Sequence, residues 1–231
     1  MDRRKCVAAI HDISGLGKCS LSVILPVLSA MGVQVCPVPT AVLSAHTGYG
    51  DFVMRDLTDF ISDALEHYKK LGQHFDCVYS GFLASAEQID HCLDFLSAYP
   101  QALKVVDPVM GDNGKPYRTF TDELCRKMSR LVKAADIITP NLHEAQILCG
   151  FDIRSESDMV RAADVIYNKY NVTVLLKGGH LANTSNDLLY DGNETWFEAV
   201  RIDNPNTHGT GCTLSSAIAA NLAKGMDIKT A

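Results

Sequence analysis

The chain has 231 residues, of which 47% are hydrophobic and 21% charged, and its formal net charge is −6. This length is typical of one large domain that buries a core without disulfides or a structural metal. The negative balance argues against a nucleic-acid-binding protein, which would need a clustered basic face.

The cysteines and the apolar runs point to a cytoplasmic chain without a membrane partner. The eight cysteines are scattered and contain no CxxC pair, so zinc-binding and thioredoxin-like sites have no support. The apolar run at residues 6–10 is too short for a signal-peptide core, and no run reaches transmembrane length. We therefore expect reduced thiols in a reducing compartment.

Short apolar runs alternate with helical patterns along most of the chain. The predicted strands are residues 6–10, 34–38, 76–79, 103–107, 136–139 and 172–177, and the predicted helices are residues 20–31, 57–71, 86–98, 121–132, 142–149 and 156–170. A hairpin is expected where Asp191-Gly192-Asn193 separates the strand-like runs 188–190 and 196–199. This alternation predicts one α/β domain over residues 1–231, with a mostly parallel sheet covered by helices on both faces.

Ligands of such folds bind beyond the carboxyl ends of the strands, so the segments that follow the strands carry the functional predictions. The strongest signal is Asn-Thr-His-Gly-Thr-Gly-Cys-Thr at residues 206–213, which leads into a long helix. The backbone N–H groups of Gly209, Thr210 and Gly211 would bind an anion at that helix start. Cys212 would have a lowered pKa there, as suits a base or nucleophile. The alternative is an ordinary glycine-rich helix start with a buried cysteine.

Two strand ends carry carboxylates. Asp107 begins Asp-Pro-Val-Met-Gly-Asp, and Asn141 lies three residues before Glu144 in Pro-Asn-Leu-His-Glu. Carboxylate and amide oxygens suit a hydrated Mg²⁺. The structural alternatives are a turn at Asp107 and a capping box formed by Asn141 and Glu144.

A further strand ends at Lys177-Gly178-Gly179-His180. Lys177 could reach a phosphate, and Gly178 and Gly179 could make room for a nucleotide. A solvated lysine before a turn is the alternative.

The segment at residues 11–20 is tempting as a phosphate-binding loop, but it fails the pattern. Asp12 stands where a P-loop needs glycine, and Cys19 stands where it needs Ser or Thr. Ser20 stands where the dinucleotide fingerprint needs its third glycine. A strand followed by a polar turn remains, and it could present His11, Asp12 and Ser14 to a polar small molecule.

Two more segments combine rings with hydroxyl groups, as expected for the lining of a flat heteroaromatic substrate. They are Ser-Ala-His-Thr-Gly-Tyr-Gly at residues 44–50, with His46 and Thr47, and Tyr-Ser-Gly-Phe at residues 79–82, with Tyr79. Either could equally be a turn with a satisfied core histidine or tyrosine. Taken together, the strand ends suit phosphoryl transfer, in which positioning and charge neutralisation supply most of the catalysis.

These segments resemble the vitamin kinases of the ribokinase-like superfamily. Residues 206–220 are similar to the anion-hole segment of hydroxymethylpyrimidine kinases and the related pyridoxal kinases. The segments at 44–50, 80–88, 107–112 and 140–144 resemble pyridoxal kinases more closely. The resemblance implies a small β flap or lid, ATP and Mg²⁺ as cofactors, a candidate monovalent cation, a homodimer, and phosphorylation of a 5′-hydroxymethyl group of a B6 vitamer.

The resemblance also implies residue roles. Cys212 would be the catalytic base beside the anion hole formed by Gly209, Thr210 and Gly211. The substrate ring would be surrounded by Asp12, Ser14, His46, Thr47 and Tyr79. ATP would be bound by Asp107, Asn141, Glu144, Lys177 and Gly179, with the metal held by Asp107 and Glu144.

Two departures from the family pattern matter. Most of the superfamily has Asp where Cys212 stands, although cysteine is similar to the hydroxymethylpyrimidine kinase type. The chain ends at Ala231, where such kinases usually continue through helices that wall the adenine pocket. The alternatives are a hydroxymethylpyrimidine kinase, a B6-binding protein without turnover, and a nucleotide-dependent oxidoreductase.

Overall fold

The computed structural model describes residues 3–112, 115–116, 121–179, 181, 185–202, 204 and 208–231. The strands are β1 Cys6–Leu16, β2 Gln34–Ala45, β3 Met54–Asp56, β4 Cys77–Ser80, β5 Leu103–Val106, β6 Gly111–Asp112, β7 Lys115–Pro116, β8 Ile137–Ile138, β9 Thr173–Leu176, β10 Asp187–Tyr190 and β11 Glu194–Phe197. The helices are α1 Leu21–Ala30, α2 Thr58–Lys70, α3 Ala86–Ala98, α4 Asp122–Lys133, α5 Leu142–Cys149, α6 Glu156–Tyr170 and α7 Thr210–Ala223. The predicted α/β class, with a mostly parallel sheet flanked by helices, is confirmed.

The first compact unit comprises Met1–Val105 and Asn206–Ala231. Its strand order is β5-β4-β1-β2-β3, with β1 parallel to both β2 and β4 and with β3 antiparallel to β2. The apolar run of β1 is fully buried, the strand has a neighbour on each side, and helices α1 and α7 contact it. Helix α7 packs against α1, β1 and β4, so the start of α7 is anchored to the core of this unit.

The second compact unit is Val106–Pro205. Its strands follow the order β11-β10-β9-β8, and β8 pairs in parallel with β9. The expected hairpin forms between β10 and β11, although its second strand begins two residues earlier than predicted. Helix α6 packs on β9 and β10. A two-stranded antiparallel ribbon, β6–β7, lies between β5 and α4 along the chain.

Several predicted elements have the observed bounds, and others are longer than expected. Helices α3, α5 and α6 match the prediction at both ends. The predictions that β1 ends at Ile10 and β2 at Val38 are wrong, since they run to Leu16 and Ala45. Among the described residues, no helix has both the length and the apolar character needed to cross a membrane.

Candidate active site

The start of α7 is built on a glycine in a left-handed conformation. Gly209 is the N-cap with φ 87°, and among the described residues no side chain caps this helix. A Cβ atom at Gly209 would lie only 2.7 Å from the backbone oxygen of Lys18. The backbone of Thr210, Gly211 and Cys212 forms the first turn. A helix start of this kind favours a bound anion through its N–H groups and its dipole.

Three residues of the predicted motifs cannot be placed. Asn206 and Thr207, which open the segment before α7, and His180, which follows Gly179, lie outside the described residues.

Asp12 and Ser14 lie on a strand, not in the predicted turn. The register between β1 and β2 shifts between His11 and Ile13, so Asp12 lies in an irregular part of the ladder. Asp12 is 4% exposed, and Ser14 Oγ donates to its Oδ2 at 3.0 Å. Burial raises the pKa of Asp12, and the hydroxyls of Ser20 and Ser14 oppose the shift by hydrogen bonding. A buried carboxylate with hydroxyl partners suits a polar group of a small ligand.

His46 and Thr47 lie where β2 ends. Thr47 begins a single 3₁₀ turn, and His46 Nδ1 accepts from the backbone N–H of Gly48 at 3.1 Å. The ring of His46 stacks on His208 at 4.4 Å between centroids and contacts Tyr49 at 4.7 Å. Burial and the nearby His208 lower the pKa of His46. The rings of His46, Tyr49 and His208 therefore form a cluster, and His208 directly precedes the N-cap of α7.

Tyr79 lies in the core. Its side chain is 0% exposed, and its ring meets His11 edge-on with centroids 4.4 Å apart. Burial lowers the pKa of His11 to about 3, which keeps that imidazole neutral. Gly81 contacts the His11 ring so closely that a Cβ atom there would overlap it.

The second unit brings Asp107 and Lys177 together. Asp107 follows β5, Lys177 follows β9, and Lys177 Nζ lies 3.2 Å from Asp107 Oδ1. The Asp107 side chain is 7% exposed and the Lys177 side chain is 17% exposed. The alternative of a solvated lysine before a turn is therefore wrong.

Asn141 and Glu144 form the capping box that was the structural alternative. Asn141 Oδ1 accepts from the Glu144 N–H at 2.9 Å, and Glu144 Oε2 accepts from the Asn141 N–H at 2.8 Å. Glu144 Oε1 also accepts from the Met110 N–H at 3.3 Å, and Asn141 Nδ2 donates to the Gly111 carbonyl at 3.0 Å. The box ties the start of α5 to the segment that follows Asp107.

Glu144 is 2% exposed and lies near Asp107. Burial, and then repulsion from Asp107, raise its pKa from 4.5 to about 8, while Lys177 acts in the opposite direction. A cation placed beside these two carboxylates would relieve the repulsion. No group of three or more His, Cys, Asp or Glu side chains arranged for a metal is found in the described part of the chain. Since both Glu144 oxygens already accept N–H groups, this donor set suits Mg²⁺ held through water.

The two glycines after Lys177 have different surroundings. A Cβ atom at Gly179 would meet nothing within 4 Å, whereas one at Gly178 would overlap the backbone oxygen of Asn186. The Gly178 N–H also donates to Asp187 Oδ1 at 2.9 Å. The close backbone approach is therefore at Gly178.

Sequence reasoning missed Cys19 and Ser20. The Ser20 hydroxyl donates to Cys19 Sγ at 3.7 Å, and the preceding residue, Lys18, places its backbone oxygen beside Gly209 at the start of α7. The failed P-loop match drew attention to this segment, but nothing in the sequence indicates that it meets a residue far along the chain.

The chain is similar to known kinases in sequence and in structure. The family model described as Phosphomethylpyrimidine kinase matches residues 25–231. The chain is 39% identical over 211 residues to the chloroplastic thiamine biosynthetic bifunctional enzyme TH1 of Arabidopsis thaliana, covering 90% of this chain and 40% of that protein. It is 41% identical over 155 residues to the hydroxymethylpyrimidine/phosphomethylpyrimidine kinase of Streptomyces coelicolor, covering 67% and 57% respectively.

Among solved structures, the pyridoxal kinase of Lactobacillus plantarum superposes with a TM-score of 0.89 at 29% identity, covering 98% of this chain and 83% of that one. The fold is thus the ribokinase-like fold expected from the sequence resemblance. The chain spans about half the length of the curated relatives it matches. Since the family model covers most of the chain, the protein belongs to the phosphomethylpyrimidine kinase family.

Proposed function

We propose that the protein is an ATP-dependent kinase that phosphorylates a hydroxymethyl group on a small heteroaromatic ring. The observation that carries the proposal is the start of α7, where Gly209 allows a close backbone approach and Cys212 lies in the first turn. Family membership supports the same reaction class.

The first unit supplies the groups for the acceptor. Asp12 and Ser14 hold polar atoms of the ring, and His46 and Thr47 line its side. The substrate hydroxyl oxygen forms a bond to the γ-phosphorus, the bond from that phosphorus to the bridging oxygen breaks, and ADP leaves. The Cys212 thiolate takes the hydroxyl proton, while the N–H groups of the first turn stabilise the charge on the moving phosphoryl group.

The groups assigned to the nucleotide lie at the ends of β5 and β9 and at the start of α5. Lys177 neutralises phosphate charge, and its ion pair with Asp107 fixes the ammonium group. Asp107 and Glu144, oriented by Asn141, would hold Mg²⁺ through water. A bound metal would neutralise phosphate charge and polarise the transferred group. Gly179, whose Cα faces open space, leaves room for the nucleotide.

There are two candidates for the acceptor substrate. Hydroxymethylpyrimidine is favoured by the matching family model and by the similarity to the hydroxymethylpyrimidine/phosphomethylpyrimidine kinase of Streptomyces coelicolor. A B6 vitamer such as pyridoxal is favoured by the segment around His46 and Thr47 and by the likeness to the Lactobacillus plantarum pyridoxal kinase. The two substrates carry the same reacting group and differ in the ring that the first unit must recognise.

Steady-state kinetics with both acceptors test the proposal. We expect ATP consumption that depends on an acceptor, with kcat/KM at least tenfold higher for one ring than for the other. Strong preference for hydroxymethylpyrimidine would end the B6 assignment. An absence of acceptor-dependent ATP consumption with either ring would contradict the kinase proposal. The homodimer implied by the family resemblance is part of the proposal, and light scattering after gel filtration tests it.

A further inference from the structure

We propose that Cys36 is a modification site that undergoes thiol–disulfide exchange with a small aliphatic disulfide, and that Cys6 is the positioning residue that keeps the Cys36 sulfur ionised. No step of the proposed kinase reaction uses these two cysteines. They lie near the amino ends of β1 and β2, whereas Asp12 lies further along β1, roughly 20 Å from Cys6. The inference therefore goes beyond the proposed function and does not depend on it.

The two sulfur atoms meet across neighbouring parallel strands. Cys6 on β1 pairs in register with Gln34, and Cys36 lies two residues further along β2, on the same side of the sheet. The two Sγ atoms are 3.5 Å apart, which is within hydrogen-bond distance for sulfur. The register of the two strands thus joins thiols that are 30 positions apart along the chain.

Cys6 is held in place by several contacts. It is 1% exposed, Gln73 Nε2 donates to its Sγ at 3.5 Å, and its backbone N–H donates to Asp76 Oδ2 at 2.9 Å. Asp76 is in turn bound by Arg3 Nη2 at 2.9 Å. Because Gln73 uses the Cys6 sulfur as an acceptor, the S–H group of Cys6 is available as the donor to Cys36.

The negative charge of the ionised pair resides on Cys36, which is the more exposed sulfur. Cys6 is buried and Cys36 is half-buried, and burial penalises the charged form of a thiol. On the side of β2 away from β1, β3 pairs only with Ala41–Leu43, so no described strand flanks Cys36 there. The hydrogen bond from Cys6 lowers the pKa of Cys36 to about 7, although burial opposes this shift. The same hydrogen bond, and then burial, raise the pKa of Cys6.

The other groups around the pair leave this assignment of the proton in place. After those two causes, Arg3 lowers the pKa of Cys6 and Asp76 raises it. Burial, and then the charges of Cys36 and Cys6, raise the pKa of Tyr68 on α2, so its phenol stays neutral. Helix α1, which also packs on β2, contains no titratable side chain. Neither helix therefore supplies a counter-charge, and the Cys6 thiol is the main stabilising partner of the Cys36 thiolate.

Exchange with a disulfide balances without any further oxidant. The Cys36 thiolate attacks one sulfur of the disulfide, and a new S–S bond forms to Cys36. The original S–S bond breaks, and the other half leaves as a thiolate that takes a proton from water. Cys6 keeps its proton throughout, so the product is a mixed disulfide at Cys36.

The expected gain in rate is modest, because a more acidic thiol is a weaker nucleophile. At pH 7 a thiol with a pKa of about 7 is half ionised, against about 1% at the ordinary value of 9.0, so about 50 times more thiolate is present. Nucleophilicity falls by roughly a factor of eight over the same pKa interval. At pH 7 Cys36 should therefore react about sixfold faster than an unassisted thiol.

Exchange with oxidised glutathione tests the inference on the full chain. The reaction runs at pH 7 and is stopped with acid, and each cysteine-containing peptide is quantified by mass spectrometry. Cys125 and Cys149 are also half-buried, and burial raises the pKa of each, so they are internal references. We expect the mixed disulfide to form at Cys36 about fivefold faster than at either reference. Equal rates at the three cysteines would overturn the inference.

Alkylation by iodoacetamide at a series of pH values tests the role of Cys6. In Cys6→Ala the midpoint of the Cys36 profile should rise by about one pH unit or more, which is about tenfold less thiolate at pH 6. Cys6→Ser, whose hydroxyl still donates, should keep the midpoint closer to that of the unmodified chain. An unchanged midpoint in Cys6→Ala would overturn the inference.

The midpoint of the unmodified chain needs no variant, so the inference stays testable even if Cys6→Ala does not fold. We expect that midpoint near pH 7, and a midpoint equal to that of Cys125 would overturn the inference. None of these readouts uses ATP. If Cys36 reacts as expected but no acceptor is phosphorylated, the modification site stands and the proposed kinase function fails.

Discussion

Lys177 Nζ lies 3.2 Å from Asp107 Oδ1, although the two residues are 70 positions apart along the chain. Each follows a strand that ends in the second unit, and both side chains are largely buried. A buried ion pair is held by mutual compensation, because each charge would be costly without the other. Among the groups proposed to bind the nucleotide, this ion pair should therefore be the most sensitive to substitution of either residue.

Lys177→Met should destabilise the fold and raise the KM for ATP. The substitution leaves the Asp107 carboxylate buried without its partner, which costs about 3 kcal/mol. Urea unfolding measures the stability, and initial rates against ATP concentration measure KM. Adding Asp107→Asn to Lys177→Met should recover part of the lost stability but none of the ATP affinity. If the single substitution were as stable as the unmodified chain, the buried ion pair would not be formed in solution.

Gly209→Ala should be far more damaging than the same change at Gly225. Both glycines have φ near 90°, so alanine is strained in either place. A Cβ atom at Gly225 would meet nothing within 4 Å, whereas one at Gly209 would lie 2.7 Å from the Lys18 oxygen. We expect a loss of about 1 kcal/mol at Gly225, from backbone strain alone, and of about 3 kcal/mol at Gly209. Thermal unfolding of the two variants side by side isolates the close approach, and equal losses would contradict it.

Stability should fall as the pH rises through the range in which Glu144 titrates. The carboxyl of Glu144 has a pKa of about 8 in the fold against 4.5 ordinarily, so between these values the folded protein holds a proton that the unfolded chain has released. Its contribution to the free energy of unfolding should therefore decrease by up to about 1.4 kcal/mol per pH unit. Below pH 6.5 the neutral His11 acts with the opposite sign, since its pKa is lowered to about 3 and the unfolded chain takes up the proton first.

The measurement is the difference between the unfolding curves of the unmodified chain and of Glu144→Gln, in buffers that contain a metal chelator. Contributions from His11 and from the cysteines cancel in that difference. Relative to Glu144→Gln, the unmodified chain should lose stability steadily from pH 6.5 to 8, so the stability gap between the two proteins should change across this window. A gap that stays constant across this window would place the Glu144 pKa near its ordinary value.

Cys212→Ala should lower kcat by about 100-fold while changing the substrate affinity little. A base acts in the transition state, so its removal affects turnover more than binding. Rapid-quench measurement of the phosphorylated product, together with equilibrium binding of the acceptor, separates the two effects. Cys125→Ala serves as the matched cysteine control and should retain full turnover. Near-normal turnover of Cys212→Ala would remove Cys212 from its proposed role.

The elements that sequence reasoning predicted well carry their own local signals. Ser85, Asn141 and Ser155 each cap a helix by accepting an N–H from three residues ahead, and the three helices begin as predicted. The apolar runs and helical patterns likewise predicted the order of the strands and helices. The strand ends that carry the predicted site residues followed from the same alternation.

The strand lengths could not be predicted, because they depend on pairing between distant segments. Asp12 and Ser14 are typical of a turn, yet β1 continues through them because β2 pairs with it as far as Ala45. Pro37 and Pro39 lie inside β2. Both prolines are tolerated because β3, the antiparallel neighbour of β2, pairs with β2 only from Ala41 onward. Neither proline therefore needs to donate an N–H group to β3.

The contact between Lys18 and the start of α7 was beyond local reasoning for the same cause. Lys18 and Gly209 lie near opposite ends of the chain, yet the Lys18 backbone oxygen occupies the space that a Cβ atom at Gly209 would need. The ion pair between Lys177 and Asp107 also depends on the strand order rather than on either local motif. The sequence named Gly209, Lys177 and Asp107 but not their partners.

The most direct measurement is whether the protein forms a phosphoester on the acceptor's hydroxymethyl oxygen. The chain is incubated with ATP, Mg²⁺ and either pyridoxal or hydroxymethylpyrimidine, and the product is identified by mass spectrometry and ³¹P nuclear magnetic resonance. Each acceptor is matched with an analogue that carries a methyl group in place of the hydroxymethyl group. We expect a phosphoester with at least one hydroxymethyl acceptor and none with its methyl analogue, whereas ADP formation at the same rate with both would contradict the kinase proposal.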